Sequence, residues 1–336
     1  MKIFKIEEND SGQRLDKFLK KLFPSATRSL IYKFNRKNKI KVLGDDTLGK
    51  YKKKDNDYKL SLGDEVKVFL TDEDFEEFKK EPKKNKIEVN KKFDKSQIIY
   101  EDKYLLIVNK NSGVNVHPGD FKTKEISLID QIQDYLGNKY DSLTFKPSLV
   151  HRIDRDTSGV LLIAKNKKLL IKLVEDFKNH NNIKKTYIAL VLGKLPKRHG
   201  KVRDKLLRIK DSKDENKVKI SDEGKEALTH YRVLKEYKLK TKNGFELISK
   251  VEVEIETGRM HQIRVHLAYL GNPVIGDKIY GNKSFNSYLS KEFGFSRQAL
   301  HSSKLEFFHH ILDKKMTIKA NLKDDMTKFL SKMKEI

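Results

Sequence analysis

The segment His151-Arg-Ile-Asp-Arg-Asp-Thr-Ser-Gly159 carries residue types that could perform acid–base or nucleophilic chemistry. Its two carboxylates, Asp154 and Asp156, stand among a histidine and two arginines, and a continuous apolar run follows at residues 160–164. An apolar run of that length is typical of a strand buried on both faces. Such a strand is a rigid mount for a charged loop at the edge of a cleft. The segment therefore predicts either a catalytic loop or a solvated turn with a surface ion pair.

The composition restricts the classes of reaction and of binding partner that this chain can have. A formal net charge of +25 favours a polyanionic partner such as nucleic acid. The absence of cysteine excludes disulfides, thiolate nucleophiles and cysteine-ligated zinc. His261 and His266 are five positions apart, which does not match a zinc-binding pair on a helix. We therefore expect neither a metal nor a redox cofactor.

Length and hydropathy bear on domain number and location. A chain of 336 residues suggests about two domains. No apolar run approaches the length of a membrane-spanning helix, and Met1-Lys2-Ile3-Phe4 does not begin a signal peptide. A soluble cytoplasmic protein is expected, with no membrane partner.

The N-terminal region predicts a small α+β module. Residues 14–23 place their apolar side chains on one helical face, and a second short helix follows. Residues 39–42 and 65–69 alternate as half-buried strands do. From residue 71 to 97 the sequence is polar and charge-segregated, which predicts a linker or a loosely held strand.

The remainder of the chain predicts a second α+β domain. The predicted elements are strands at 104–110, 185–193 and 247–256 and amphipathic helices at 128–136 and 170–177. This mixture indicates a mixed, largely antiparallel sheet flanked by helices.

A second charged segment, Glu256-Thr-Gly-Arg-Met-His-Gln-Ile-Arg-Val-His266, follows the last of these strands. Gly258 supplies a turn, and Ile263 and Leu267 have the spacing of a helix that faces a core. Arginine and histidine on such a helix are ordinarily surface residues. A tyrosine within an apolar strand, such as Tyr187, is ordinarily a core residue because its ring fits a half-buried pleat.

These motifs together resemble the RluA family of RNA pseudouridine synthases. The first segment is similar to the family's His-Arg-Leu-Asp-x-x-Thr-Ser-Gly, with Ile153 in place of leucine, and the second to Thr-Gly-Arg-x-His-Gln-Ile-Arg-Val-His-Leu. Further matches are Lys225-Glu-Ala227, Pro273-Val-Ile-Gly-Asp277 and Leu300-His301, so the resemblance covers nearly the whole chain. Asn111 and His310 stand where the family usually has proline.

The resemblance implies a role for three residues. Asp154 matches the essential catalytic aspartate, Arg264 the arginine that pairs with it, and Tyr187 a tyrosine that stacks on the target uracil near the reacting sugar. A carboxylate in a closed cleft tends to protonate unless a cation holds it ionised, and arginine remains charged. The residues implied to support the site are His151, Arg152, Arg155, Thr157, Gly159, Arg259, His261 and Gln262.

The implied reaction converts specific uridines in RNA to pseudouridine without a cofactor or metal. Asp154 either attacks the sugar or base, or assists cleavage and proton removal at C2 of the ribose, where Tyr187 is a candidate base. Ser29-Leu-Ile-Tyr32 and Asp154-Arg-Asp156 are nearest the RluC branch, whose members modify large-subunit (23S) ribosomal RNA.

The N-terminal region resembles the alpha-L RNA-binding module in Arg14-Leu-Asp-Lys-Phe-Leu19, Arg28-Ser-Leu-Ile-Tyr32 and Leu62-Gly-Asp64. Candidate RNA-binding residues are Arg14, Lys17, Arg28, Lys33, Arg36, Lys37 and Lys41. The expected domains are a module at 1–72, a charged linker at 73–97 and a catalytic domain at 98–336.

Two other functions compete with this reading. A non-catalytic RNA-binding or ribosome-assembly protein would explain the charge and the N-terminal module equally well. A nuclease could use His151, Asp154 and Asp156 as a hydrolytic set, although the spacing of metal ligands is missing. For the enzyme we expect ribosomal RNA as partner, a monomeric state and no required protein partner.

Overall fold

The computed structural model describes residues 1–80, 92–118, 126–209, 217–242 and 244–336. The helices are α1 (Leu15–Leu22), α2 (Arg28–Arg36), α3 (Asp72–Lys79), α4 (Leu128–Leu136), α5 (Lys167–Asn179), α6 (Gln262–Tyr269), α7 (Lys283–Phe293) and α8 (Asp324–Leu330). The strands are β1 (Lys2–Lys5), β2 (Ile40–Leu43), β3 (Glu65–Val68), β4 (Ile98–Glu101), β5 (Leu105–Lys110), β6 (Ser148–Leu149), β7 (Ser158–Ala164), β8 (Lys184–Leu192), β9 (His199–Ile209), β10 (Lys217–Ile220), β11 (Lys225–Thr241), β12 (Gly244–Ile255), β13 (Leu300–His309), β14 (Lys314–Lys319) and β15 (Lys334–Glu335). Over those ranges, no helix combines the length and apolar composition needed to cross a membrane.

The chain divides into two compact units. One consists of residues 1–93, 130–148 and 164–168, and the other of residues 94–129, 149–163 and 169–336. The expected domain boundaries at residues 72 and 97 stay a prediction.

The first unit contains a three-stranded antiparallel sheet in the order β1-β3-β2 and the helices α1 and α2. The apolar face predicted for the first helix is buried, through Leu15, Phe18, Leu19 and Leu22. The side chain of Thr27 caps α2 by accepting a hydrogen bond of 3.2 Å from the backbone N–H of Leu30. These elements form the predicted small α+β module.

The structure differs from the sequence prediction at residues 72–79, where a linker or loosely held strand was expected. This segment is the helix α3, capped by a 3.1 Å hydrogen bond from the Asp74 N–H to the Thr71 hydroxyl. Its acidic first turn complements the helix dipole. Phe75 is buried, with ring centroids 5.4 Å from Phe23 and 5.9 Å from Phe4. Residues 81–91 of the predicted linker lie outside the described ranges.

The second unit is built on a large sheet, whose described strands run in the order β10-β9-β11-β12-β8-β13-β7-β5-β4. The pairs from β10 to β13 along this order and the pair β5 with β4 are antiparallel, whereas β13 and β7 are parallel. The predicted α+β class with a mixed, largely antiparallel sheet is therefore confirmed.

The strand after the first charged segment, β7, is buried at every residue, as its apolar run predicts. Gly159 on this strand has φ +114°, and a Cβ there would lie 2.2 Å from the backbone oxygen of Ser302 on β13. Only glycine allows this close approach of the two parallel strands. Gly159 therefore fixes the end of the charged loop against β13.

Candidate active site

Arg264 links the two charged segments. Its Nη1 donates a 2.9 Å hydrogen bond to Oδ2 of Asp154, which lies on the loop before β7. The side chain of Arg264 is 5% exposed and that of Asp154 is 29% exposed. The guanidinium is thus inside the protein, whereas the carboxylate that it orients faces a cleft.

Asp277 holds the other edge of the same guanidinium. The Arg264 Nε and Nη2 donate to the two Asp277 carboxylate oxygens at 2.7 and 2.9 Å, and the Asp277 side chain is fully buried. The backbone N–H groups of Ile279 and Tyr280 also donate to Asp277, at 2.8 and 3.1 Å. Burial by itself would raise the pKa of Asp277, but Arg264 and these N–H groups outweigh it and lower that pKa.

The electrostatics of Arg264 follow from its two carboxylates. Burial alone would lower the pKa of Arg264, yet the hydrogen bonds and charges of Asp277 and Asp154 raise it. One buried cation therefore contacts two anions, and the triad has a net negative charge. Sequence reasoning matched Asp277 to a family motif but gave it no role.

Tyr187 lies on β8 and is almost fully buried beside Asp154. Burial and then the negative charge of Asp154 raise the pKa of Tyr187, against a smaller opposite effect of Ser302. The phenol is consequently protonated at neutral pH.

His261 precedes α6 in a left-handed conformation, with φ +55°. Its Nε2 is 3.9 Å from Oδ2 of Asp154, and its Nδ1 is 3.0 Å from the hydroxyl of Tyr280. The Tyr280 oxygen accepts a 2.8 Å bond from Val218 N–H. Burial lowers the pKa of His261, and the charge of Asp154 opposes this shift. If the Tyr280 proton is donated to Nδ1, the neutral ring presents an Nε2–H to Asp154.

These side chains surround a cleft that encloses about 450 Å³ of empty space, part of it open to solvent. The lining residues are Arg152, Ile153, Asp154, Thr157, Tyr187, Ile255, Gly258, Arg259, His261, Gln262, Ile263, Arg264 and Leu300. The cleft thus combines apolar walls and an aromatic ring with one carboxylate and several cations.

Two of the predicted supporting residues hold the loop in place. His151 stacks on Phe177, with ring centroids 4.6 Å apart, and its Nε2 accepts a 3.3 Å bond from Leu162 N–H. Burial lowers the pKa of His151 to about 3, so the ring is neutral. Thr157 is buried and its hydroxyl accepts a 2.6 Å bond from Gln298. These hydrogen bonds do not join the side chain of His151 or of Thr157 to Asp154.

Gln262 anchors the start of α6. Its amide donates to the backbone oxygen of Leu228 at 2.9 Å and accepts from the Thr257 hydroxyl at 2.7 Å. Arg155 lines a different pocket, together with Gly113 and Asp156, and its Nε donates to the backbone oxygen of Gly113 at 3.2 Å. Arg155 therefore does not share the cleft of Asp154.

Lys110 is a buried residue of this region that sequence reasoning missed. Its Nζ donates to the backbone oxygens of Arg155 and Asn111, at 2.7 and 2.8 Å. Burial lowers its pKa to about 7, against the attraction of Asp156. The ammonium lies beneath the charged loop and fixes the main chain next to Asp154. Asn111, where the family usually has proline, takes part in this contact through its backbone.

The candidate RNA-binding residues of the N-terminal unit differ in availability. Lys17, Arg28, Lys33, Arg36 and Lys37 are exposed on or beside α1 and α2. Arg14 instead donates two 3.0 Å hydrogen bonds to Asp16, and Lys41 lies 5.7 Å from the ring centroid of Phe69. A groove lined by Tyr32, Lys33, Arg36, Lys53 and Asp55, among others, spans about 1,110 Å³, part of it open to solvent. Within the described parts of the chain, no three acidic or histidine side chains are grouped to hold a metal ion.

The chain is similar to known proteins over nearly its whole length. Residues 104–269 match the family described as RNA pseudouridylate synthase. A Buchnera aphidicola (subspecies Baizongia pistaciae) protein named ribosomal large subunit pseudouridine synthase C is 36% identical, over 94% of this chain and 92% of its own. The Vibrio cholerae protein of that name is 32% identical, over 98% of this chain and 96% of its own. The solved structure of human RNA pseudouridylate synthase domain containing 1 has a TM-score of 0.56 and 24% identity, over 71% of this chain and 88% of its own, which bears on the fold alone.

Proposed function

The chain belongs to the RluA family of RNA pseudouridine synthases, in its RluC-like branch, and we propose that it modifies large-subunit ribosomal RNA with Asp154 as the catalytic residue. The family resemblance predicted from the motifs is confirmed, and the enzyme is an isomerase. The observation that carries the proposed role of Asp154 is its partly exposed carboxylate, oriented by Arg264 beside Tyr187 in the cleft.

The reaction breaks the N-glycosidic bond of a uridine, turns the detached base and rejoins it to the ribose through carbon. The base carbon that forms the new bond loses one proton, and the base nitrogen freed from the ribose gains one, so no atom is gained or lost overall. Such chemistry needs a carboxylate within bonding or proton-transfer distance of the nucleoside. Arg264 supports this role because its positive charge and N–H compensate the carboxylate charge while the cleft is covered by RNA.

The two routes left open by the sequence make different demands on Tyr187. As a base at C2 of the ribose, Tyr187 would first have to lose its own proton, which its raised pKa opposes. We therefore assign the attack or proton transfer to Asp154. Tyr187 serves as a neutral aromatic ring on which the target base stacks, a contact worth ~1–3 kcal/mol per base.

The target uridine must leave its stack to enter the cleft, at a cost of a few kcal/mol. Contacts with the rest of the RNA offset this cost. The net charge of +25 provides salt-dependent attraction to phosphates. Exposed Lys33 and Arg36, in the groove of the N-terminal unit, provide a second point of attachment. With ribosomal RNA as substrate, the protein would act as a monomer in the cytoplasm, without an obligatory protein partner.

Mapping pseudouridine in ribosomal and transfer RNA from cells with and without the protein tests this proposal. We expect specific sites in large-subunit RNA to lose pseudouridine, and purified protein to restore them on unmodified transcript. Asp154→Asn should bind the transcript and form no product. Measurable product from this variant would remove Asp154 from its role, and sites confined to transfer RNA would refute the substrate.

The competing functions give other results in the same assay. A non-catalytic RNA-binding protein would leave the pseudouridine map unchanged while binding the transcript. A metal-dependent nuclease would shorten the transcript and stop doing so with chelator, whereas pseudouridine formation is expected to continue when EDTA is present.

A further inference from the structure

A buried lysine lies next to the cleft on the strand that carries Tyr187. Lys185 is two residues before Tyr187 on β8, so the two side chains project from the same face of the strand. Lys185 is only 7% exposed. Its one hydrogen bond within the described residues is a long one, 3.4 Å from Nζ to the backbone oxygen of Thr257. An ammonium has three donors, so most of its capacity is unused.

No carboxylate among the described residues forms an ion pair with Lys185. The charged and titratable groups that act on it or feel its charge are Arg259, His151 and His180. Burial and then Arg259 lower the pKa of Lys185 to about 8. Glu256, an acidic residue of the same turn, is 2.8 Å from His230 instead. A buried cation beside another cation is unfavourable unless an anion joins them.

Arg259 is exposed, so its guanidinium is accessible to an anion from solvent. Its Nε donates to the backbone oxygen of Glu226 at 3.0 Å, and within the described chain its two terminal nitrogens have no partner. Arg259 lines the same cleft as Asp154. Gly258, between Thr257 and Arg259, would place a Cβ 3.7 Å from the Lys185 Nζ, so the ammonium lies directly beside this turn. The absence of a side chain at residue 258 leaves the approach to the ammonium less obstructed.

We propose that Lys185 and Arg259 form an anion site that binds a phosphodiester of the RNA adjacent to the target nucleotide. This rests on the proposed function. The planar fork of Arg259 can bind two phosphate oxygens, and the Lys185 ammonium supplies a point charge. Burial, Lys185 and Arg259 lower the pKa of His180, against an opposite effect of Glu256, so the positive charge of the two cations extends to this ring. The bound phosphate would hold the flipped nucleotide in register with Asp154.

The test compares Lys185→Met with Lys184→Met in the full-length chain. Lys184 is the neighbouring residue on the strand, is exposed, and is 2.8 Å from Glu254, so it is a matched control on the opposite face. Both are made in the Asp154→Asn background, and binding to a large-subunit RNA transcript is measured at several salt concentrations. We expect Lys185→Met to weaken binding about 10-fold. The slope of log affinity against log salt should become shallower by about 0.7–0.9, and Lys184→Met should change neither.

Stability separates a binding role from a structural one. Methionine is close to lysine in length and removes the buried charge, so the unfolding midpoint of Lys185→Met should equal or exceed that of the parent. A fall in the midpoint, together with unchanged RNA affinity, would identify Lys185 as a structural donor to Thr257 and overturn the proposal.

The phosphate itself is identified with short RNAs that carry one neutral methylphosphonate linkage at successive positions around the target uridine. We expect a single linkage to cost the parent about 10-fold in affinity and to cost Lys185→Met nothing more. Equal sensitivity of both proteins at every linkage would overturn the proposal. Failure of the proposed function is distinct, because wild-type protein would then form no pseudouridine in the transcript.

Discussion

Replacing Arg264 by methionine should destabilise the protein far more than removing the carboxylate that Arg264 presents to the cleft. Methionine retains apolar volume, so the main loss is electrostatic. Asp277 loses both of its 2.7–2.9 Å bonds to the guanidinium and stays fully buried. Breaking a buried pair by removing one partner costs ~3–5 kcal/mol.

The Asp154 side of the triad should contribute little to this loss. Asp154 shares a single bond with Arg264 and its side chain is 29% exposed, so water can replace the lost partner. We expect Asp154→Asn to change the free energy of unfolding by less than about 1 kcal/mol. The measurement is urea unfolding at pH 7 for wild type, Arg264→Met and Asp154→Asn.

A double variant isolates the cause. Asn at position 277 keeps an oxygen that accepts from the Ile279 and Tyr280 N–H groups, and it carries no charge that would be left buried and unpaired. Arg264→Met with Asp277→Asn should therefore recover at least ~1–2 kcal/mol relative to Arg264→Met alone. A loss for Arg264→Met no larger than that for Asp154→Asn, or a double variant less stable than Arg264→Met, would refute the reasoning.

Two further predictions concern the loop that carries Asp154. Gly159→Ala should lower the free energy of unfolding in urea by more than about 3 kcal/mol, because its Cβ would lie 2.2 Å from the Ser302 oxygen. The control Gly113→Ala, at φ +79° with no atom within 4 Å, should lower it by only about 1 kcal/mol. Equal losses for the two variants would contradict this prediction. Lys110 has a pKa of about 7 in the folded protein and near 10.5 in the unfolded chain. Between pH 7 and pH 10.5 the unfolded chain therefore binds more protons at this residue, so Lys110 makes the free energy of unfolding rise with pH over this interval. The stability of wild type minus that of Lys110→Met should therefore increase from pH 7 to pH 10 and be flat below pH 6; a difference independent of pH would contradict the burial of a charged amine.

Much of the second unit was predictable because its signals are local. The apolar run at 160–164 gave β7, and helical spacing after Gly258 gave α6. The charged segments around them were recognisable as pieces of one site, and the structure joins them through the 2.9 Å bond of Arg264 to Asp154. The catalytic, supporting and RNA-binding roles themselves remain predictions that the experiments above address.

What the sequence did not reveal depends on burial and on distant contacts. Asp277 is thirteen positions from Arg264. Its function as a partner of Arg264 becomes evident only when the guanidinium is seen to be buried. Lys110 was one of many lysines, and its contact with the Arg155 carbonyl spans 45 positions. The helix α3 had a local signal, a Thr71 cap with acidic residues after it, but the surrounding charge suggested a linker.

The triad separates the residue that stabilises the site from the residue proposed to react. A carboxylate that must approach a nucleoside has to be accessible, and an accessible carboxylate cannot by itself hold a buried arginine in place. Asp277 supplies that anchor from inside the protein, so Arg264 keeps its orientation whether or not RNA covers Asp154. It follows that Asp277→Asn should reduce the rate of pseudouridine formation through the position of Arg264, although residue 277 lies outside the residues that line the cleft.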